Sequence, residues 1–122
     1  MNETKLGAIE SKFADMIWQN EPVSSADLVK MAEAELDWKK STTYTVLRRL
    51  CDRGIFQNTG GRVTSVISRE DFYAAQSERF VEETFSGSLP AFVAAFTKHQ
   101  NISGEELDEV QRMIDRIRKG GN

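Results

Sequence analysis

Residues 38–67, WKKSTTYTVLRRLCDRGIFQNTGGRVTSVI, constrain this chain more than any other stretch. A helix-like run stops at Gly54 and gives way to two short runs that meet at Gly60-Gly61. Gly54 stands where a left-handed helix stop is needed, and a Gly-Gly pair suits a two-residue hairpin turn. The spacing predicts strands over 55–58 and 63–67, with Val63, Ser65 and Ile67 on one face and Val66 on the other. Across 38–62, six cations (Lys39, Lys40, Arg48, Arg49, Arg53, Arg62) stand against one acid, Asp52. That is a local +5 in a chain of formal net charge -3, and it calls for a polyanionic partner.

A helix followed by a basic hairpin is the outline of a winged helix-turn-helix. The residues before it supply the other helices of such a domain. Ile9, Phe13, Met16 and Ile17 form one apolar stripe, which Asn20-Glu21-Pro22 ends. Ser24 or Ser25 can cap a second helix with Asp27 in its first turn, and Leu28, Val29, Met31 and Ala32 are its apolar positions. A break at Leu36-Asp37-Trp38 precedes a third helix that starts around Ser41.

Beyond the hairpin the pattern changes. Ser68-x-x-Asp71 opens a long helix to about Phe85, and Ser86-Gly87-Ser88 interrupts it. Pro90 fits the first turn of a short helix with Phe92, Val93 and Phe96 on its apolar side. Ser103-Gly-Glu-Glu106 reads as a capping box for a last helix, followed by a frayed Gly120-Gly121-Asn122 end. Leu107, Val110, Ile114 and Ile117 give that helix a narrow seam suited to pairing with another helix. About 55 such residues are marginal alone. Burying Phe80, Phe92, Phe96 and the seam against a second copy is the simplest solution. The expected division is therefore a DNA-binding domain over 1–68 and a helical dimerisation domain over 69–122. Charge supports it: 1–67 balance at nine basic and nine acidic residues, whereas 68–122 carry seven basic and ten acidic.

Composition excludes several classes. At 39% hydrophobic and 29% charged residues, with no long apolar run, the chain reads as a soluble globular protein. MNETKLGAIE has no basic-then-apolar pattern, so the expected location is the cytoplasm. Lone Cys51 and lone His99 cannot build a zinc site unaided, and no metal or cofactor is expected. Without a nucleophile motif or phosphate loop, an enzyme is not expected.

On a helical wheel, Thr43, Val46, Leu47 and Leu50 face the core. Ser41, Thr45, Arg48 and Asp52 lie opposite, flanked by Thr42, Tyr44 and Arg49. Hydroxyls let a helix approach base edges and phosphates closely, and Arg can take guanine O6 and N7. Lys39 and Lys40 add charge at the positive end of the helix. Arg62 would meet backbone or minor groove, and Asp52 can pair with Arg48 or Arg53. A solvated charged face remains the plain alternative for any such helix. A ligand-gated regulator of the MarR type, with a Phe-lined pocket, or a protein-interaction module are the competing classes.

From about Leu6 to Arg118 the chain resembles the BlaI/MecI penicillinase repressor family of winged-helix regulators. The resemblance rests on LGAIESKFADMIW, VSSADLV, WKKSTTYTVLRRLCDRG, GGRV and SGEELDEV, in that order. Trp38, Thr42, Thr45, Leu47, Arg49, Leu50 and Gly54 carry a W-x3-T-x2-T-x-L-x-R-L-x3-G pattern. It implies a homodimer that binds a palindromic operator, represses β-lactamase or related resistance genes, and is cleaved in its dimerisation domain after a membrane sensor detects β-lactam. By position, Thr42, Tyr44, Thr45 and Arg49 would be recognition residues and Arg62 the wing contact. Ala95-Phe96 would be the cleavage bond. Well-known members have Asn at the place of Ala95 and Lys at that of Ser41. A copper-sensing branch carries paired cysteines near its C-terminus, and this chain has none there.

Overall fold

The computed structural model describes residues 6–120. Residues 1–5, which begin the N-terminus read above for a signal, and the tail residues Gly121 and Asn122 lie outside that range. Among the described residues, six helices and three short strands follow one another: α1 (Ala8–Asn20), β1 (Val23–Ser24), α2 (Ser25–Leu36), α3 (Lys40–Asp52), β2 (Phe56–Thr59), β3 (Arg62–Ser65), α4 (Arg69–Phe85), α5 (Leu89–Thr97) and α6 (Gly104–Arg118). The fold is mainly α with a small β-wing, as the sequence predicts. Contacts divide the chain into Met1–Arg79 and Phe80–Asn122, so α4 crosses the division.

In the first unit the apolar stripes of α1, α2 and α3 close one core. Phe13, Ile17, Leu28, Leu47, Leu50, Phe56 and Val63 are almost fully buried in it. Full burial of such a side chain stabilises by roughly 1.5–3 kcal/mol. Trp18 holds three elements together. Its ring lies 5.0 Å from Phe56, 5.8 Å from Phe72 and 6.0 Å from Tyr73, and its indole N–H donates to the Ile67 carbonyl at 3.1 Å. The first turn of α4 is fixed by Arg69, which donates to Asp15 at 2.8 Å and lies over the Tyr73 ring at 4.9 Å.

Caps set the helix ends. Ser24, not Ser25, accepts the Asp27 N–H at 3.0 Å and starts α2. Asp37, at φ 57, ends α2 in the left-handed region where the sequence offers no glycine. Gly54, at φ 80, ends α3 in a Schellman arrangement. Its N–H donates to the Cys51 carbonyl at 2.9 Å, and the Ile55 N–H donates to the Leu50 carbonyl at 3.2 Å.

The hairpin turns at Gly60 (φ 61) and Gly61 (φ 90), with Thr59 opposite Arg62. Both φ values are positive, the type I′ geometry that a two-residue hairpin prefers. The strands differ by a residue or two from expectation. Ile55 gives its N–H to the α3 stop, so the paired strands end at Phe56 and Ser65, although its carbonyl still accepts from the Val66 N–H at 2.8 Å. The sheet has a third strand, in the order β1-β3-β2, with Val23 opposite Val63 and Ser24 opposite Arg62.

The second unit packs differently. Phe80, Phe85, Phe92 and Phe96 stack in a chain of ring contacts, at centroid separations of 5.9 Å (Phe80–Phe85), 5.8 Å (Phe85–Phe92) and 6.0 Å (Phe92–Phe96). Ser88 caps α5 through the Ala91 N–H, and Ser103 caps α6 through the Glu106 N–H, both at 3.1 Å. No described residue of this unit is buried. No helix among the described residues is long and apolar enough to cross a membrane.

Candidate nucleic-acid interface

The third helix presents a clean division between core and outside. Thr43, Val46, Leu47 and Leu50 are buried, and Thr43 satisfies its hydroxyl by donating to the Lys39 carbonyl at 3.3 Å. Lys39, Lys40, Ser41, Thr42, Thr45, Arg48 and Arg49 are exposed, and Tyr44 is half-buried. No side chain caps the start of α3, so its first N–H groups face outward beside Lys39 and Lys40. Among the described residues, Lys39, Lys40, Arg48 and Arg62 form no ion pair.

Ser25 joins the wing, α2 and α3 at one point. Its backbone N–H donates to the Gly61 carbonyl at 2.8 Å, and its hydroxyl accepts from the Tyr44 hydroxyl at 3.5 Å. Asn58 braces the turn by accepting the Gly61 N–H at 3.0 Å. Tyr44, Leu47, Arg48, Cys51 and Asn58 line an open groove of about 280 Å³ between α3 and β2. Glu21 anchors the other end of the hairpin, its carboxylate accepting both the Ser65 N–H and the Ser65 hydroxyl at 2.8 Å. The hairpin is thus held by a backbone bond at its turn and by carboxylate bonds at its far end, and α3 meets the turn side through the Tyr44 hydroxyl.

Arg49 differs from its neighbours. Its guanidinium donates to Glu10 Oε2 at 2.7 Å, while Glu10 Oε1 accepts the Gly7 N–H at 3.2 Å. Burial pushes the Glu10 carboxyl up, but the bonds from Arg49 and Gly7 outweigh it and hold it below its ordinary value. Cross-helix pairing of this kind leaves no mark in either helix's own pattern. Cys51 is half-buried, and burial together with the charge of Asp52 pushes its thiol up, away from thiolate chemistry. No group of three or more His, Cys, Asp or Glu suited to a metal occurs among the described residues.

Residues 6–116 match the penicillinase repressor family. The chain belongs to that family. It is 26% identical over 110 residues to a penicillinase repressor of Bacillus licheniformis, a match covering 87% of this chain and 86% of that protein. It is 20% identical over 116 residues to the methicillin resistance regulatory protein MecI of Staphylococcus aureus, covering 92% and 94%. A penicillinase repressor of the same species is 19% identical over 121 residues, covering 96% of each. Membership in the penicillinase repressor family makes this chain a transcriptional regulator of the repressor kind. The matched residues extend from Leu6 on the threshold of α1 to Arg116 in α6.

The remaining predicted site residues lie in the second unit of this penicillinase repressor family member. Phe80, Phe96, Leu107, Val110, Ile114 and Ile117 are exposed, and Phe92 is half-buried. Ala95 and Phe96 are exposed in the last turns of α5.

Proposed function

We propose that this chain is a homodimeric DNA-binding repressor that occupies a palindromic operator and controls β-lactamase or related resistance genes. Residues 1–68 bind DNA and residues 69–122 pair the two copies. The contact set is Lys39, Lys40, Ser41, Thr42, Tyr44, Thr45 and Arg48 on α3, with Arg62 on the wing. The observation that carries this reading is the outward face of α3: hydroxyls and unpaired cations together, braced against the wing through Ser25. A solvated face would need neither the brace nor the run of hydroxyls. The names of the relatives supply the class of gene.

The test is binding to the DNA upstream of the chain's own gene, measured by fluorescence anisotropy across salt concentrations. The logarithm of affinity falls linearly with the logarithm of salt, by about 0.9 for each phosphate contact. Arg48→Ala costs roughly 1–3 kcal/mol on the operator and much less on random DNA. Binding that ignores salt sinks the proposal.

Release follows cleavage between Ala95 and Phe96. The cut detaches α6 and its Leu107, Val110, Ile114, Ile117 seam, so two copies no longer arrive on DNA as one. Immunoblots of cells exposed to a β-lactam test this step. Derepression with the repressor still intact rules it out.

A further inference from the structure

On the wheel of α3 the exposed cations divide into two sets. Arg48 lies near the centre of the outward face, beside the groove lined by Tyr44 and Asn58. Arg49 lies on the opposite flank, toward α1, where Glu10 meets it at 2.7 Å. Both carboxylate oxygens of Glu10 are engaged, one with Arg49 and one with the Gly7 N–H, so the carboxylate is fixed in place. Arg53 also attracts Glu10 electrostatically, so the acid sits against two cations of the same helix edge.

We propose that Glu10 is an intramolecular counter-charge that holds Arg49 out of the phosphate contacts of the recognition face. This rests on the DNA-binding reading above and deepens it. A phosphate approaching the α1 flank of α3 meets a neutral pair. Phosphate contact then falls to Lys39, Lys40 and Arg62, which form no ion pair among the described residues. The consequence is a lower general affinity for DNA and a shallower salt dependence. Charge that meets phosphate strengthens binding to every sequence alike, and random sites vastly outnumber the operator. Masking one arginine for each protomer lowers that general affinity and leaves the groove-side contacts intact. Glu10 is thus a positioning residue acting through Arg49.

The experiment compares the salt dependence of random-duplex and operator binding for the unaltered chain, Glu10→Gln, and the double variant Glu10→Gln/Arg49→Gln. Glutamine keeps the shape of the side chain and an acceptor for Gly7, so folding is not at stake. Glu10→Gln frees Arg49 and steepens the log-log slope by about 0.9 for each protomer. On random DNA that is about a 3.5-fold larger gain per protomer when salt falls fourfold. The ratio of operator to random affinity holds, because a phosphate contact strengthens both alike, and the double variant returns to the original slope. An unchanged slope in Glu10→Gln overturns the inference and leaves the DNA-binding reading standing. A slope that stays steep in the double variant overturns it too, since Glu10 would then act as general negative charge. Absence of salt-dependent binding in the unaltered protein overturns the DNA-binding reading itself, and this inference with it.

Discussion

Residues 13–72 bury fourteen apolar side chains in one core, whereas no described residue beyond Arg79 is buried. The second unit is not short of apolar groups: Phe80, Leu89, Val93, Phe96, Leu107, Val110, Met113, Ile114 and Ile117 are all exposed. The two regions therefore differ in how a single chain can satisfy them, not in composition. Packing within one copy completes the first. In the second, a chain of stacked Phe rings and capped helices gives shape, while the apolar seam of α6 stays open to water. Exposed patches of that extent mark contact surfaces.

That contrast can be broken by experiment. The largest expected effect lies in the first unit, where Leu50, at 0% exposed, makes the truncation Leu50→Ala cost about 2–5 kcal/mol in chemical denaturation. Ile114→Ala, on the open seam, should cost the isolated copy far less. Equal losses at the two positions would erase the distinction.

A second measurement sharpens the proposal that a second copy covers the seam. On that proposal, sedimentation equilibrium should show the unaltered chain as dimer and Leu107→Asp/Ile117→Asp as monomer, with a Tm that depends on concentration only in the unaltered chain. Gly54→Ala comes next. At φ 80 an alanine is strained by about 1–2 kcal/mol, which lowers the Tm without altering the oligomeric state.

The smallest effect is electrostatic. The folded-state pKa of Glu10 lies below its ordinary value of 4.5, so the pair with Arg49 stabilises fully above that pH. The contribution fades as pH falls through the lower folded value. Because Arg49 is 54% exposed, it amounts to no more than about 1 kcal/mol. Comparing the Tm of Glu10→Gln with that of the unaltered chain should show a gap above pH 5 that closes on acidification. A gap that persists at low pH would assign it to packing instead.

Much of this was legible from local rules. Ser24, Ser68, Ser88 and Ser103 each accept an N–H three residues on, as capping chemistry dictates. The core face of α3 and the Gly60-Gly61 turn follow from periodicity and from the need for positive φ. What stayed hidden depends on distant partners. Strand β1 is two residues long, too short for any alternation to show. The carboxylate of Glu21 reaches Ser65 across 44 positions, and Glu10 reaches Arg49 across 39. Neither pairing alters the pattern of the helix or strand that bears it. At Arg49 the sequence pattern therefore favours a reader, while the fold gives the side chain an internal partner.

The bonds between β1 and β3, and from Ser25 to Gly61, run through the main chain. They fix the gauge between the start of α2 and the tip of the wing whatever side chains occupy those positions. On the proposed reading, substitutions on α3 change which bases are favoured without moving that frame. A protein built this way can acquire a new operator one side chain at a time, since the ruler and the lettering are separate parts.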